Sequence, residues 1–161
     1  MSDDEYLAAI AAVVENLAFL MPTGPAESDA GSWPVQVQVQ WLGPDGSRGH
    51  IVVALDQSVA DATAANLLGL PPGEKPSPQD VQEACKEMAN VIAGNLLPVK
   101  YGQNHEFHLH PPESVTSDAV SARAVVVRLA LVEGNISVSI DGDADNSRIL
   151  RAVRVPPGLR A

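Results

Sequence analysis

Residues 35–41 alternate without a break, Val-Gln-Val-Gln-Val-Gln-Trp. Successive side chains of a strand point to opposite sides, so three valines and a tryptophan share one face and three glutamines the other. Such a strand belongs to a sheet covered on one side and wet on the other, which argues against a parallel sheet buried on both faces. Gly43, Pro44, Asp45, Gly46 and Ser47 are turn residues, and 51–55 is an apolar run able to pair back. Residues 35–55 therefore read as a hairpin. Other segments must cover its dry face.

Three helices are available for that. In residues 3–20, Ile10, Val13, Val14, Leu17, Leu20 and Met21 recur at steps of three and four, the period of an amphipathic helix. Ser2 with Asp3, Asp4 and Glu5 suits its start, and Pro22 is expected to stop it. Residues 22–34, rich in Pro, Gly, Ala and Ser, read as a surface loop. A second helix is expected over 58–69, closed by Gly69 with Pro71 and Pro72 beyond. Ser77, Pro78 and Asp80 open a third, which should run to about 97 with Pro98 behind it. Strands are expected near 105–109, 123–132 and 136–140, the last two joined by a turn at Glu133, Gly134 and Asn135. From 141 the chain is acidic, then basic, and reads as an irregular tail. The expectation is one domain over 1–161 with an α+β fold: a two-layer sandwich, long helices packed on one face of a mostly antiparallel sheet.

Composition narrows the function. The chain carries 20 acidic and 10 basic residues, a formal charge of −10, which argues against nucleic acid and anionic membrane surfaces as partners. No apolar run reaches the ~18 residues of a membrane span. The first residues are acidic where a secretory signal would be basic, so a cytoplasmic location is expected. The single cysteine, Cys85, excludes an internal disulfide and a multi-cysteine zinc site. It falls on the apolar side of the third helix, as a small core residue rather than a nucleophile.

That helix holds the segment with chemistry. Val81, Ala84, Cys85, Met88, Val91, Ile92 and Leu96 fall within one arc, the core side. Glu87, Asn90 and Gly94 lie within about 40° of Glu83, on the opposite side. Like charges at i,i+4 weaken a helix by a few tenths of a kcal/mol. Asn and Gly together cost roughly 1.5 kcal/mol against alanine. A solvated surface does not require those costs, whereas a surface that meets another molecule can use them: Gly94 admits a close approach to the backbone, and Asn90 presents a carboxamide.

The run Glu87-Met-Ala-Asn90-Val-Ile-Ala-Gly94-Asn95 resembles the signature helix of the CheC/CheX/FliY chemotaxis phosphatases, and is most similar to the CheX branch, with Glu-x-x-Asn followed by an apolar triplet and Gly-Asn. The ending of the first helix, Glu15-Asn-Leu-Ala-Phe-Leu20, and the order of the elements are similar too. Only 87–95 is specific. Position 83 is Glu where the family often has Asp or Ser, a later family proline is matched loosely by Pro111 or Pro112, and one copy of the signature is present rather than two.

The resemblance implies stimulated hydrolysis of the aspartyl phosphate of a CheY-like response regulator, in chemotaxis or related two-component signalling. Catalytic roles fall to Asn90 and Glu87, and partner binding to Glu83, Glu87, Asn90 and Gly94. A carboxamide accepts no proton at neutral pH, so Asn90 would orient the attacking water rather than act as a base. Glu87 would pair with the lysine of the regulator's phosphorylation pocket. No cofactor of its own is implied, since Mg²⁺ is supplied by the partner response regulator. A homodimer paired through sheet edges is implied as well, and the alternation at 35–41 is compatible with an open edge. The alternative is a non-catalytic binding module that docks a receiver domain or signalling partner through the same helix face.

Two further signals are set aside. His50, His105, His108 and His110 lack acidic or cysteine ligands at a metal-binding spacing, so no metal site is expected. Asp141, Asp143 and Asp145 imitate the start of a calcium loop, but Asn146 and Ala152 stand where its Gly and Glu belong.

Overall fold

The structure, a computed structural model, describes residues 3–26, 33–115 and 125–142. Ser2, the loop centre at 27–32, the first residues of the strand expected at 123–132, and the tail from 143 with Asp143, Asp145, Asn146 and Ala152 lie outside that range. In chain order come α1 (Asp3–Ala18), β1 (Pro22–Pro25), β2 (Val35–Leu42), a 3-10 turn (Pro44–Gly46), β3 (Arg48–Leu55), α2 (Gln57–Leu68), α3 (Pro78–Tyr101), β4 (His108–Leu109), β5 (Glu113–Val115), β6 (Val125–Leu131) and β7 (Gly134–Gly142). The strands make one sheet, β1-β6-β7-β3-β2-β4, with β5 also on β2. Every described pairing is antiparallel.

This is the expected α+β sandwich. Val37, Val39 and Trp41 of β2 join Ile51, Val53 and Leu55 of β3, and Val127, Leu129, Ile136, Val138 and Ile140 of β6 and β7, in one core. Ile10 and Val14 of α1, Val59 and Ala60 of α2, and Met88, Ile92 and Leu96 of α3 complete it from the helical layer. Gln36, Gln38 and Gln40 take the opposite side of β2, as the alternation requires. The β6–β7 turn needs its glycine. Gly134 has φ +152, and a Cβ there would lie 2.9 Å from Asp56 Oδ2, Ser58 Oγ and Val59 Cγ2.

Four expectations are corrected. First, α1 stops at Ala18, before Pro22 can act: Phe19 turns left-handed at φ 56, and Leu20 N–H donates to the Val14 carbonyl at 3.0 Å. That turn sends Leu20 into the core and leaves Phe19 70% exposed. Second, 22–25 is a strand, not loop. Its prolines lack N–H donors, which an edge strand tolerates, and β1 is an edge.

Third, α3 continues through Pro98 to Tyr101. An interior proline costs roughly 3 kcal/mol. Against this the last turn places Tyr101 on Trp41 and Phe107, with ring centroids 5.3 and 5.6 Å away. Fourth, β2 is no open edge. β4 pairs with Trp41 and Leu42, and β5 with Gln36, Val37 and Gln38.

Candidate functional site

The site begins with the way α3 is started and held. Ser77 Oγ accepts from Asp80 N–H at 3.1 Å, and Asp80 Oδ2 accepts from Ser77 N–H at 3.3 Å. Pro78 follows the cap, where its missing N–H costs nothing. From there the helix packs on the sheet and between α1 and α2. Its buried side is wider than the period alone indicated: Ala89, Ala93 and Leu97 are buried as well, whereas Val91 is only half-buried. Small residues let a neighbouring helix come close, so two helices and the sheet cover most of the circumference of α3.

What remains outward is the narrow strip read from the sequence. Glu83, Glu87 and Gly94 are exposed, and Asn90 is half-buried beside them. The structure thus aligns all four expected partner-binding residues along one side of one rigid helix. Nothing lies within 4 Å of the place a Gly94 Cβ would occupy, so packing does not demand glycine there. One turn on, Pro98 has no N–H for the Gly94 carbonyl. Asn95 turns back along the helix, its Nδ2 donating to the Val91 carbonyl at 2.8 Å. The strip therefore offers a carboxylate, a carboxamide and uncovered backbone within about two turns.

The two carboxylates also have a cation beside them that like-charge repulsion alone leaves out. Lys86 Nζ lies 3.9 Å from Glu83 Oε1, an i,i+3 pair, which offsets part of the repulsion between the two carboxylates. The spacing was visible in the sequence.

On the inner side Cys85 is wholly buried. Burial, with the Asp61 carboxylate adding to it, pushes its thiol up to about 12. It is a packing group, as expected. Among the described residues no group of three or more His, Cys, Asp or Glu is arranged to hold a metal ion. His108 and His110 meet edge to face at 5.7 Å, and His50 Nδ1 lies 3.8 Å from Asp141 Oδ1. No described helix is long and apolar enough to cross a membrane.

Comparison with known proteins bears on the family and the fold. The family model described as chemotaxis phosphatase CheX matches residues 38–131, more than half of the chain and the whole of α3. The chain belongs to the CheX family. Similar solved structures include a chemotaxis protein CheX from Desulfovibrio desulfuricans, 18% identical with a TM-score of 0.64, covering 86% of this chain and 96% of that one. CheX from Vibrio vulnificus is 19% identical with a TM-score of 0.64, over 86% and 94% of the two chains. A CheX–CheY–BeF3–Mg²⁺ complex from Borrelia burgdorferi is 20% identical with a TM-score of 0.63, over 86% and 96%. At these identities the likeness is one of fold. No curated protein is similar enough in sequence to stand as a relative.

Proposed function

We propose that this chain stimulates hydrolysis of the aspartyl phosphate of a CheY-like response regulator, with α3 as the inserted element. The observation that carries the reading is the outward alignment of Glu87 and Asn90 on a helix whose other sides are packed. The family's description as a phosphatase supports it, as does the CheY partner in the Borrelia burgdorferi complex.

Hydrolysis at phosphorus needs a water held in line and charge stabilised on the departing oxygens, more than it needs a base. The Asn90 carbonyl oxygen accepts from that water and fixes its direction. The amide NH₂ remains free to donate to the partner. Glu87, one turn earlier and fully outward, pairs with the lysine of the regulator's pocket and sets the depth of insertion. Gly94 lets the partner's backbone approach where a side chain would stand. Mg²⁺ comes with the regulator, whose carboxylates hold it, so this chain contributes positioning and no cofactor of its own. A homodimer belongs to the same proposal. Its open sheet edges would be β1 and the β4/β5 side rather than 35–41.

The test is the lifetime of a phosphorylated CheY-like receiver with and without the chain. Shortening that grows with chain concentration is expected, and Glu87→Ala should demand more chain for the same effect. Binding with an unchanged lifetime would leave the docking module and remove the enzyme.

A further inference from the structure

We infer that Lys86 is a docking cation that decides which partners the strip accepts, a role that rests on the proposed insertion of α3. The chemistry of an aspartyl phosphate poses a problem for this helix. A phosphorylated carboxylate with Mg²⁺ is surrounded by acidic groups that hold the ion, so the rim of such a pocket is negative. The strip facing it carries Glu83 and Glu87, and a single partner lysine answers only one of them. Unrelieved, like charges brought together at an interface oppose binding.

Lys86 is placed to relieve this. It precedes Asn90 by one helical turn, its side chain leaving the axis within about 40° of the asparagine's. Its Nζ lies 3.9 Å from Glu83 Oε1, with the lysine side chain 28% exposed and the glutamate 67%. A stem lying along the helix with its ammonium at the surface is the usual compromise of a partly covered lysine. The other lysine of α3, Lys100, sits in the last turn over the Tyr101 ring at 5.4 Å, far along the axis from Glu87. Lys86 is thus the one cation of α3 beside the carboxamide. On docking it exchanges Glu83 for a carboxylate at the partner's rim, and Glu83 serves as its counter-ion in the free chain. Receivers with a carboxylate at that rim are accepted, and receivers with a basic residue there are rejected.

The experiment titrates the full chain against a CheY-like receiver, untreated and beryllofluoride-treated, at several ionic strengths, and measures stimulated phosphate release in parallel. Lys86→Gln is expected to raise Kd and KM about three- to fivefold at low salt and to flatten their dependence on salt, as loss of a rim charge does. It should leave kcat and the melting temperature unchanged, and Lys86→Arg should restore both affinity and salt slope. Unchanged Kd and salt slope in Lys86→Gln would overturn the inference, and so would a fall in kcat at constant KM. These outcomes are separate from those of the underlying reading, which falls if Asn90→Ala releases phosphate as fast as wild type whatever Lys86 does.

Discussion

The two sides of α3 obey different rules. Inward, Val81, Cys85, Met88, Ile92 and Leu96 are apolar and buried, and contact between α2 and α3 extends to Thr63 Oγ1 near Met88 Sδ at 4.0 Å. Outward, four positions hold residues that a helix would not choose for its own stability: two like carboxylates, an asparagine and a glycine. The inner side fixes the helix against its neighbours, and the outer side leaves those four positions at the surface. A packed helix is a precise platform because its surface residues contribute so little to holding it in place.

Substitutions that cross the two sides sharpen the contrast. The largest effect on folding belongs inside. Ile92→Ala should lower stability by roughly 2–5 kcal/mol in chemical denaturation, because a fully buried side chain leaves a cavity among well-packed neighbours. Glu87→Ala, five residues earlier on the same helix, should leave stability within about 0.5 kcal/mol of wild type. A large loss there would mean that Glu87 holds the fold. Gly94→Ala should move the opposite way and raise stability by up to about 1 kcal/mol, since the added methyl meets nothing and alanine favours the helix. The same variant should weaken stimulated phosphate release. A gain in stability with full activity would show that the partner does not approach there. Smallest is Glu83→Gln, which should change the melting point little, as an exposed i,i+3 pair contributes roughly 0–1 kcal/mol.

The sequence was most legible where a period was long enough to read. Seven alternating residues placed β2 with the correct face inward, and the stretch of α3 from Pro78 to Leu97 was long enough to show an inner and an outer side. Legibility failed where packing overrode local preference. Pro98 looked like a terminator, yet the aromatic contacts of Tyr101 carry the helix past it. Phe19 in a left-handed turn had no signal, because bulky residues seldom adopt it. The strand expected near 105–109 is only the two residues of β4, and β5, of three, was not expected at all; nothing in strands so short indicates that they pair with β2. At the site, the helical period placed Glu83, Glu87, Asn90 and Gly94 on one side, while the roles proposed for Glu87, Asn90 and Gly94 rest on the resemblance of 87–95 to a known signature. The Glu83–Lys86 pair is legible as an i,i+3 spacing, and it softens the repulsion that the i,i+4 glutamates imply.

The proposed function requires Asn90 to act at another protein's phosphoryl group while contributing little to its own fold. The direct measurement is phosphate release from a phosphorylated CheY-like receiver saturated with wild-type chain or with Asn90→Ala, the two shown to bind and melt alike. Wild type is expected to accelerate release, and Asn90→Ala to fall to the receiver's own rate. Equal acceleration by both would contradict the proposed function.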